Sequence, residues 1–170
     1  MILEPTKLSG VYFGRLNTFE DERGFFAEAY RTPSIRGLPE TDYIQHNFFM
    51  SKRRVLRGLH YQTTHPQGKF MMPVSGSIYH AVVDLKTGEW YGRELFPFEF
   101  IISASAYMTG TLVMTDKSIV YEMVTDYWYP GDSITIAWND PDIGITWPMD
   151  YPILKREDAN GKSFKEVFGD

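Results

Sequence analysis

The sequence predicts an all-β fold, an antiparallel sandwich or barrel formed by a single domain over residues 1–170. Three observations support this prediction. Short β-like runs follow one another closely, and turn signals such as KTGEW, TDK, YPGD and NDPD separate them. Aromatic residues make up 16% of the chain, a high share that suits strands. A helical pattern appears only in the tail.

Nine runs are predicted to be strands, because β-branched and aromatic residues dominate them and turn residues bound them. In chain order they are residues 11–16, 25–30, 43–51, 55–62, 69–85 with a break at Pro73–Gly76, 98–107, 110–114, 118–128 and 133–139. The tetrapeptide MTGT (108–111) is interpreted as a turn. The tail segment 158–168, DANGKSFKEVF, is predicted to form a short helix with Asp158 or Asn160 as its N-cap.

Composition excludes several classes of function. A net charge of -5 without a cluster of Lys and Arg argues against nucleic-acid binding. The absence of cysteine excludes disulfides and thiol chemistry, and four histidines without an H-x-H pair give no basis for a metal site. No signal peptide and no apolar run long enough to span a membrane is present, so a cytoplasmic location is expected.

The stretch VLRGLHYQ (55–62) is the first candidate for a functional site. Arg57 and His60 lie three residues apart, so they would lie on opposite faces of a regular strand. Gly58 between them could form a bulge that turns both side chains toward one pocket. The alternative is that His60 belongs to the core and Arg57 is a surface charge.

Several longer motifs accompany this strand. RGFFAE (23–28), VLRGLHYQ and WNDPDIGITWP (138–148), together with QHN (45–47), QGK (67–69) and ILKRED (153–158), resemble the dTDP-4-dehydrorhamnose 3,5-epimerase family. The resemblance extends from about Gly10 to Asp158. It implies a cupin-like antiparallel jelly roll that needs no cofactor and acts on a nucleotide-linked 4-keto-6-deoxy sugar carried by dTDP, CDP or GDP. It also implies a homodimer with exchanged N-terminal strands.

Roles for individual residues are implied only where they match the family's motifs. His60 is expected to be the base, Asp158 its orienting partner and Lys69 the cation beside the ketone oxygen, where an ammonium stabilises an enolate. Two arginines are expected to hold the diphosphate, and the other matches are expected to contact the nucleotide. These binding residues are Arg23, Arg57, Phe26, Glu28, Gln45, Asn47 and Trp128, with Phe26 and Glu28 serving the neighbouring subunit's pocket.

Departures from the family pattern lie on the acid side of the expected site. Thr109, retained as a binding candidate, occupies a histidine position, and Glu122 occupies the position of the tyrosine that acts as the acid. Tyr121 is not a replacement, because strand parity turns it to the other face. Glu122 could be the new acid if burial raised its pKa, or it could hydrogen-bond a sugar hydroxyl or pair with an arginine.

The preferred hypothesis is an epimerase that inverts one carbon next to the ketone, C3 rather than C5, in deoxysugar synthesis for a surface polysaccharide. Three alternatives stay open: double inversion at C3 and C5, a nucleotide-sugar-binding protein that has lost catalysis, and a 4-keto to 3-keto isomerase. All three enzymatic hypotheses begin with proton removal beside the ketone, so the sequence separates them poorly. A missing acid would cost about 10²–10⁴-fold in rate.

Overall fold

The computed structural model describes residues 2–31 and 42–169 and confirms the all-β fold, a cupin-like jelly roll of antiparallel sheets. The strands in chain order are β1 Ile2–Pro5, β2 Val11–Arg15, β3 Thr18–Asp21, β4 Gly24–Ala27, β5 Gln45–Lys52, β6 Leu56–Gln62, β7 Lys69–Ser75, β8 Ile78–Asp84, β9 Trp90–Leu95, β10 Glu99–Ser103, β11 Tyr107–Val113, β12 Lys117–Val124 and β13 Ser133–Thr135. Two short helices, α1 Arg156–Ala159 and α2 Phe164–Phe168, complete the described part of the chain.

Two sheets form the sandwich. The first has the strand order β1-β2-β10-β7-β12-β5, the second has the order β13-β6-β11-β8-β9, and β3 and β4 form a separate hairpin. Apolar side chains from both sheets meet between them, among them Phe13, Met71 and Val120 from the first sheet and Ile78 and Val82 from the second. Burying these groups away from water holds the sheets together, while one end of the sandwich interior is lined by polar residues.

Most predicted strands are confirmed within a few residues, but two predictions are wrong. The run 98–107 is two strands, because exposed residues 104–106 form the turn between β10 and β11. MTGT is therefore part of a fully buried strand and not a turn. Strand β9, residues 90–95, was not predicted from the sequence. Pro73 lies inside β7 opposite a register irregularity in β12, where the ladder tolerates its missing N–H.

Gly110 was misassigned to a turn because a glycine in a sequence can indicate either a turn or a point where two backbones pack closely. A Cβ on Gly58 would lie 2.6 Å from the Cα of Gly110, and a Cβ on Gly110 would lie 2.9 Å from Leu59 Cδ2. Gly58 also has a φ of +133°, which other residues rarely adopt. The two glycines therefore allow β6 and β11 to approach at this point.

The predicted tail helix is confirmed in place but is divided into two one-turn helices, and the predicted caps are wrong. Asp158 lies inside α1, which begins after Lys155. Ser163 caps α2, accepting a bond from the Glu166 N–H while the Glu166 side chain accepts one from the Ser163 N–H. Within the described ranges no helix is long and apolar enough to cross a membrane.

Candidate active site

A polar cleft opens between the two sheets at the end where β5, β6 and β12 meet helix α1. It has two adjoining lobes with volumes of about 420 and 480 Å³. Five residues line both lobes: Asn47, His60, Lys69, Glu122 and Lys155. The first lobe extends toward β11, and the second extends toward the loop after β12. The shared residues mark the junction, where groups from the two sheets face one another.

Irregular pairing of β6 places both Arg57 and His60 in this cleft. Thr109 pairs with His60 and Thr111 pairs with Arg57, so two residues of β6 oppose the single residue Gly110 of β11. This is the bulge proposed around Gly58 from the sequence, and it overrides the strict alternation of a flat strand. Arg57 donates from Nε to Ser51 Oγ at 2.9 Å, and its guanidinium lies 5.1 Å from the Phe49 ring centroid.

His60 and Asp158 form the shortest polar contact on the second-sheet side of the cleft. His60 Nε2 lies 2.6 Å from Asp158 Oδ1, while Oδ2 accepts the Gly58 N–H at 3.3 Å. The Asp158 side chain is fully buried, whereas 29% of the His60 side chain is exposed. The bond to Asp158 holds the proton on Nε2, which leaves Nδ1 as the ring nitrogen able to accept another proton. The pair therefore has the geometry of an oriented base.

Lys69 approaches from β7, in the opposite sheet. Its Nζ donates to Thr109 Oγ1 at 3.2 Å. Burial lowers the pKa of Lys69, and the negative charge of Glu122 acts in the opposite direction. Deeper in the sandwich, His80 Nδ1 lies 2.9 Å from Thr111 Oγ1, and burial followed by the Lys69 charge lowers the His80 pKa to about 3. His80 is therefore neutral at neutral pH.

Glu122 faces the cleft from β12, and a chain of hydrogen bonds holds it. Asn47 Nδ2 donates to Glu122 Oε2 at 2.9 Å, Gln45 Nε2 donates to Asn47 Oδ1 at 3.0 Å, and the Trp128 N–H donates to Gln45 Oε1 at 2.9 Å. Tyr121 turns to the outer face as predicted, with its hydroxyl 2.8 Å from His46 Nδ1. The acid position thus carries a carboxyl connected to the second lobe.

Three predicted binding residues do not line the cleft of the same protomer. Arg23 and Phe26 lie on the β3–β4 hairpin, and Glu28 follows directly after it. Arg23 is paired with Asp21, Glu28 is paired with Arg31, and Phe26 is 66% exposed. That Phe26 and Glu28 contact the substrate in a neighbouring subunit's pocket remains a prediction.

Two charged residues that line the cleft were not predicted from the sequence. Lys155 and Glu157 both line the second lobe. The three-residue spacing between Lys155 and Asp158 was the available signal, because such residues are neighbours on a helical turn. No group of three or more His, Asp or Glu side chains in residues 2–31 and 42–169 is arranged to hold a metal ion.

Comparisons with known proteins agree with this geometry. The family model described as dTDP-4-dehydrorhamnose 3,5-epimerase matches residues 5–166. A relative of that name from Methanothermobacter thermautotrophicus is 37% identical, over 95% of this chain and 93% of the relative.

Two solved structures have the same fold. The dTDP-6-deoxy-D-glucose-3,5-epimerase of Legionella pneumophila, in complex with dTDP-4-keto-L-rhamnose, has a TM-score of 0.90 and 26% identity, covering 98% of this chain and 94% of that one. A 3'-monoepimerase from Streptomyces bikiniensis, in complex with dTDP-quinovose, has a TM-score of 0.88 and 26% identity, covering 97% and 89%. With the family model and the relative, these matches show that this chain, an epimerase, belongs to the dTDP-4-dehydrorhamnose 3,5-epimerase family.

Proposed function

We propose that this epimerase acts on a dTDP-linked 4-keto-6-deoxy sugar and inverts C3 alone. The observation that carries the proposal is the arrangement of His60 and Asp158 on one side of the cleft, with Lys69 and Glu122 on the other. A hydrogen next to a ketone is acidic only if the enolate is stabilised as it forms, and a buried ammonium is suited to that task. The dTDP part is supported by the ligands of the two related structures.

In this mechanism His60 Nδ1 removes the C3 proton, and Asp158 stabilises the resulting imidazolium. The ammonium of Lys69, which Thr109 helps to position, holds the ketone oxygen as negative charge develops on it. Glu122, after taking up a proton from solvent, donates it to C3 from the opposite side, so the configuration is inverted; His60 then releases its proton to solvent. Asn47 holds Oε2 of Glu122, which leaves Oε1 to carry the proton.

The preference for C3 rests on the residue at position 122. A glutamate is shorter than the tyrosine that the family pattern places there, and Glu122 is held by Asn47 at 2.9 Å. A carboxyl held in one position serves one carbon, whereas double inversion requires delivery to two carbons of the ring. The 3'-monoepimerase from Streptomyces bikiniensis has the same fold, so the family's scaffold supports single inversion.

The remaining cleft residues are assigned to binding. Arg57, whose guanidinium can form paired bonds to phosphate oxygens, holds the diphosphate. Gln45, Asn47 and Trp128 contact the nucleoside side, in the lobe that they line. We place the reaction in the cytoplasm and assign its product to a deoxysugar of a surface polysaccharide.

The protein is proposed to act as a homodimer. Strand β5 lies at the edge of the first sheet, and two of its outward-facing side chains are large and apolar: Phe48 is 69% exposed and Met50 is 53% exposed. An unpaired edge with such a face favours pairing with another strand. The hairpin carrying Phe26 would then reach the partner's cleft. Light scattering after gel filtration tests this, because Phe48→Glu should shift a dimer toward the monomer.

Isotope incorporation tests the function. The protein is incubated in D₂O with dTDP-, CDP- and GDP-linked 4-keto-6-deoxyglucose, and NMR follows deuterium at C3 and C5 and the configuration of the trapped product. Deuterium and inversion at C3 alone with the dTDP sugar is the expected result. Deuterium at both carbons would mean that the enzyme inverts C3 and C5, and not C3 alone. No incorporation with any of the three would overturn the catalytic proposal, and the His60→Asn variant gives the background rate.

A further inference from the structure

Lys155 shares the carboxylate that orients the base. Its Nζ lies 3.7 Å from Asp158 Oδ1, the same oxygen that accepts His60 Nε2 at 2.6 Å. The distance is that of an ion pair but is too long for a hydrogen bond. Lys155 is therefore a cation held beside the His60–Asp158 pair by charge attraction alone.

The two partners of this ion pair differ in freedom. Asp158 is fully buried and fixed by His60 and by the Gly58 N–H. Lys155 is 57% exposed, precedes α1, and makes no side-chain capping bond there. A lysine ammonium on a flexible four-carbon stem changes partners with little rearrangement of the backbone. When an anion enters the cleft, the lysine can move, while the aspartate stays.

Lys155 and protonated His60 compete for the same negative charge. A cation near Asp158 disfavours a second positive charge beside the same carboxylate, so Lys155 in its present position opposes the pairing of a protonated His60 with Asp158. Moving Lys155 away from Oδ1 removes that opposition. The other charged side chains that line the cleft around His60 are Arg57, Lys69, Glu122 and Glu157.

Position explains what could draw Lys155 away. It lines both lobes beside His60, so a nucleotide sugar bound across the cleft would bring its anionic diphosphate within reach of this lysine. Lys69 is already bonded to Thr109, and Arg57 is bonded to Ser51. Of these three cleft cations, Lys155 thus has the longest contact with its partner, and its exposure is compatible with movement.

We propose that Lys155 is a positioning residue gated by substrate: it pairs with Asp158 in the empty cleft and transfers to the diphosphate when the nucleotide sugar binds. After this transfer His60 is the one cation paired with Asp158, so His60 acts as an effective base only when substrate is bound. The inference rests on the proposed function, because it requires a diphosphate substrate and a His60 base.

NMR of the histidine side chains tests the gate without turnover. The ¹⁵N shifts of the His60 ring, identified by their loss in His60→Asn, report its protonated fraction at a pH of about 6.5, the reference value for imidazole. Spectra are recorded for the free protein and with saturating inorganic pyrophosphate or dTDP. Lys155→Gln is compared with wild type, Lys155→Arg is the conservative rescue, and Arg156→Gln is the matched control, since it removes a neighbouring charge.

The expected result has two parts. Free Lys155→Gln shows about a twofold higher ratio of protonated to neutral His60 than wild type, the size of an exposed ion-pair effect. When pyrophosphate or dTDP is added, the ratio of protonated to neutral His60 rises less in Lys155→Gln than in wild type. Lys155→Arg and Arg156→Gln give the same ratios as wild type. The gate would be overturned by any of three results: the same ratio of protonated to neutral His60 in free Lys155→Gln and wild type, the same rise in that ratio when the anion is added, or no binding of either anion. Absence of epimerisation with these shifts intact would overturn the proposed function alone.

Discussion

Asp158→Asn is the most informative substitution in the proposed base. The asparagine keeps the shape of the side chain and can still accept the Gly58 N–H through Oδ1, so the fold is retained. Its Nδ2 group donates a hydrogen bond where the carboxylate accepted one from His60 Nε2. The imidazole must then carry its proton on Nδ1, and the nitrogen that should attack the substrate is blocked.

The size of the effect follows from the geometry. Opposite charges separated by the observed 2.6 Å interact by about 6 kcal/mol at an effective dielectric constant of about 20. His60 is 29% exposed, and we discount the figure by half for solvent screening, which leaves ~3 kcal/mol or about 10²-fold in rate. The wrong tautomer adds to this loss, since the equivalent change in serine proteases costs about 10⁴-fold. We expect a decrease between these two values.

The assay is the initial rate of deuterium incorporation at C3 from D₂O, measured by NMR with the dTDP-linked substrate. His60→Asn supplies the background, and unchanged dTDP affinity and circular dichroism establish that Asp158→Asn is folded. An Asp158→Asn rate within tenfold of wild type, in a folded variant that binds dTDP, would refute the assignment of Asp158 as the partner of the base.

Three further outcomes are expected. Glu122→Gln should lower inversion at C3 by about 10²–10⁴-fold, while deuterium exchange without inversion persists because His60 still acts. Burial and the Lys69 charge lower the pKa of His80 to about 3 in the folded protein, so below about pH 6.5 this histidine is protonated in the unfolded chain first. The free energy of unfolding should therefore fall by up to about 1.4 kcal/mol per pH unit on acidification. His80→Asn should remove this contribution, as measured by urea unfolding. In the same assay Gly58→Ala should lower the free energy of unfolding by about 3 kcal/mol or more, whereas Gly24→Ala should lower it by about 1 kcal/mol.

Each of these outcomes has a contrary result. Inversion by Glu122→Gln at the wild-type rate would show that another group is the acid. An identical pH dependence of stability in His80→Asn and wild type would mean that His80 titrates normally in the folded chain. Gly24 has a φ of +127° with nothing within 4 Å of a Cβ, so equal losses at the two glycines would show that the contact with Gly110 costs nothing.

Sequence patterns identified the strands that build the cleft, because local alternation and motif matches coincide there. Parity alone placed Tyr121 and Glu122 on opposite faces, and the structure confirms it. The same approach failed at Gly110, where a glycine permits close packing between strands far apart in sequence. Such contacts depend on sheet order, which a single sequence does not specify.

The base side of the site was predicted more completely than its edge. His60 and Asp158 are 98 residues apart in sequence, and family motifs brought them together before the structure did. Lys155 was missed because an exposed lysine in a charged run has the composition of an ordinary surface. Its importance comes from its proximity to one buried oxygen, and in the sequence that proximity was indicated by no more than a three-residue spacing from Asp158.

The division of the cleft between two sheets has an evolutionary consequence. The proposed proton acceptor lies on β6, and the proposed proton donor lies on β12, in the other layer of the sandwich. A substitution in one layer can therefore change the side from which hydrogen is delivered without disturbing the side from which it is taken. On this scaffold a single substitution in β12 can change the proposed acid while the strand that carries the base is left intact.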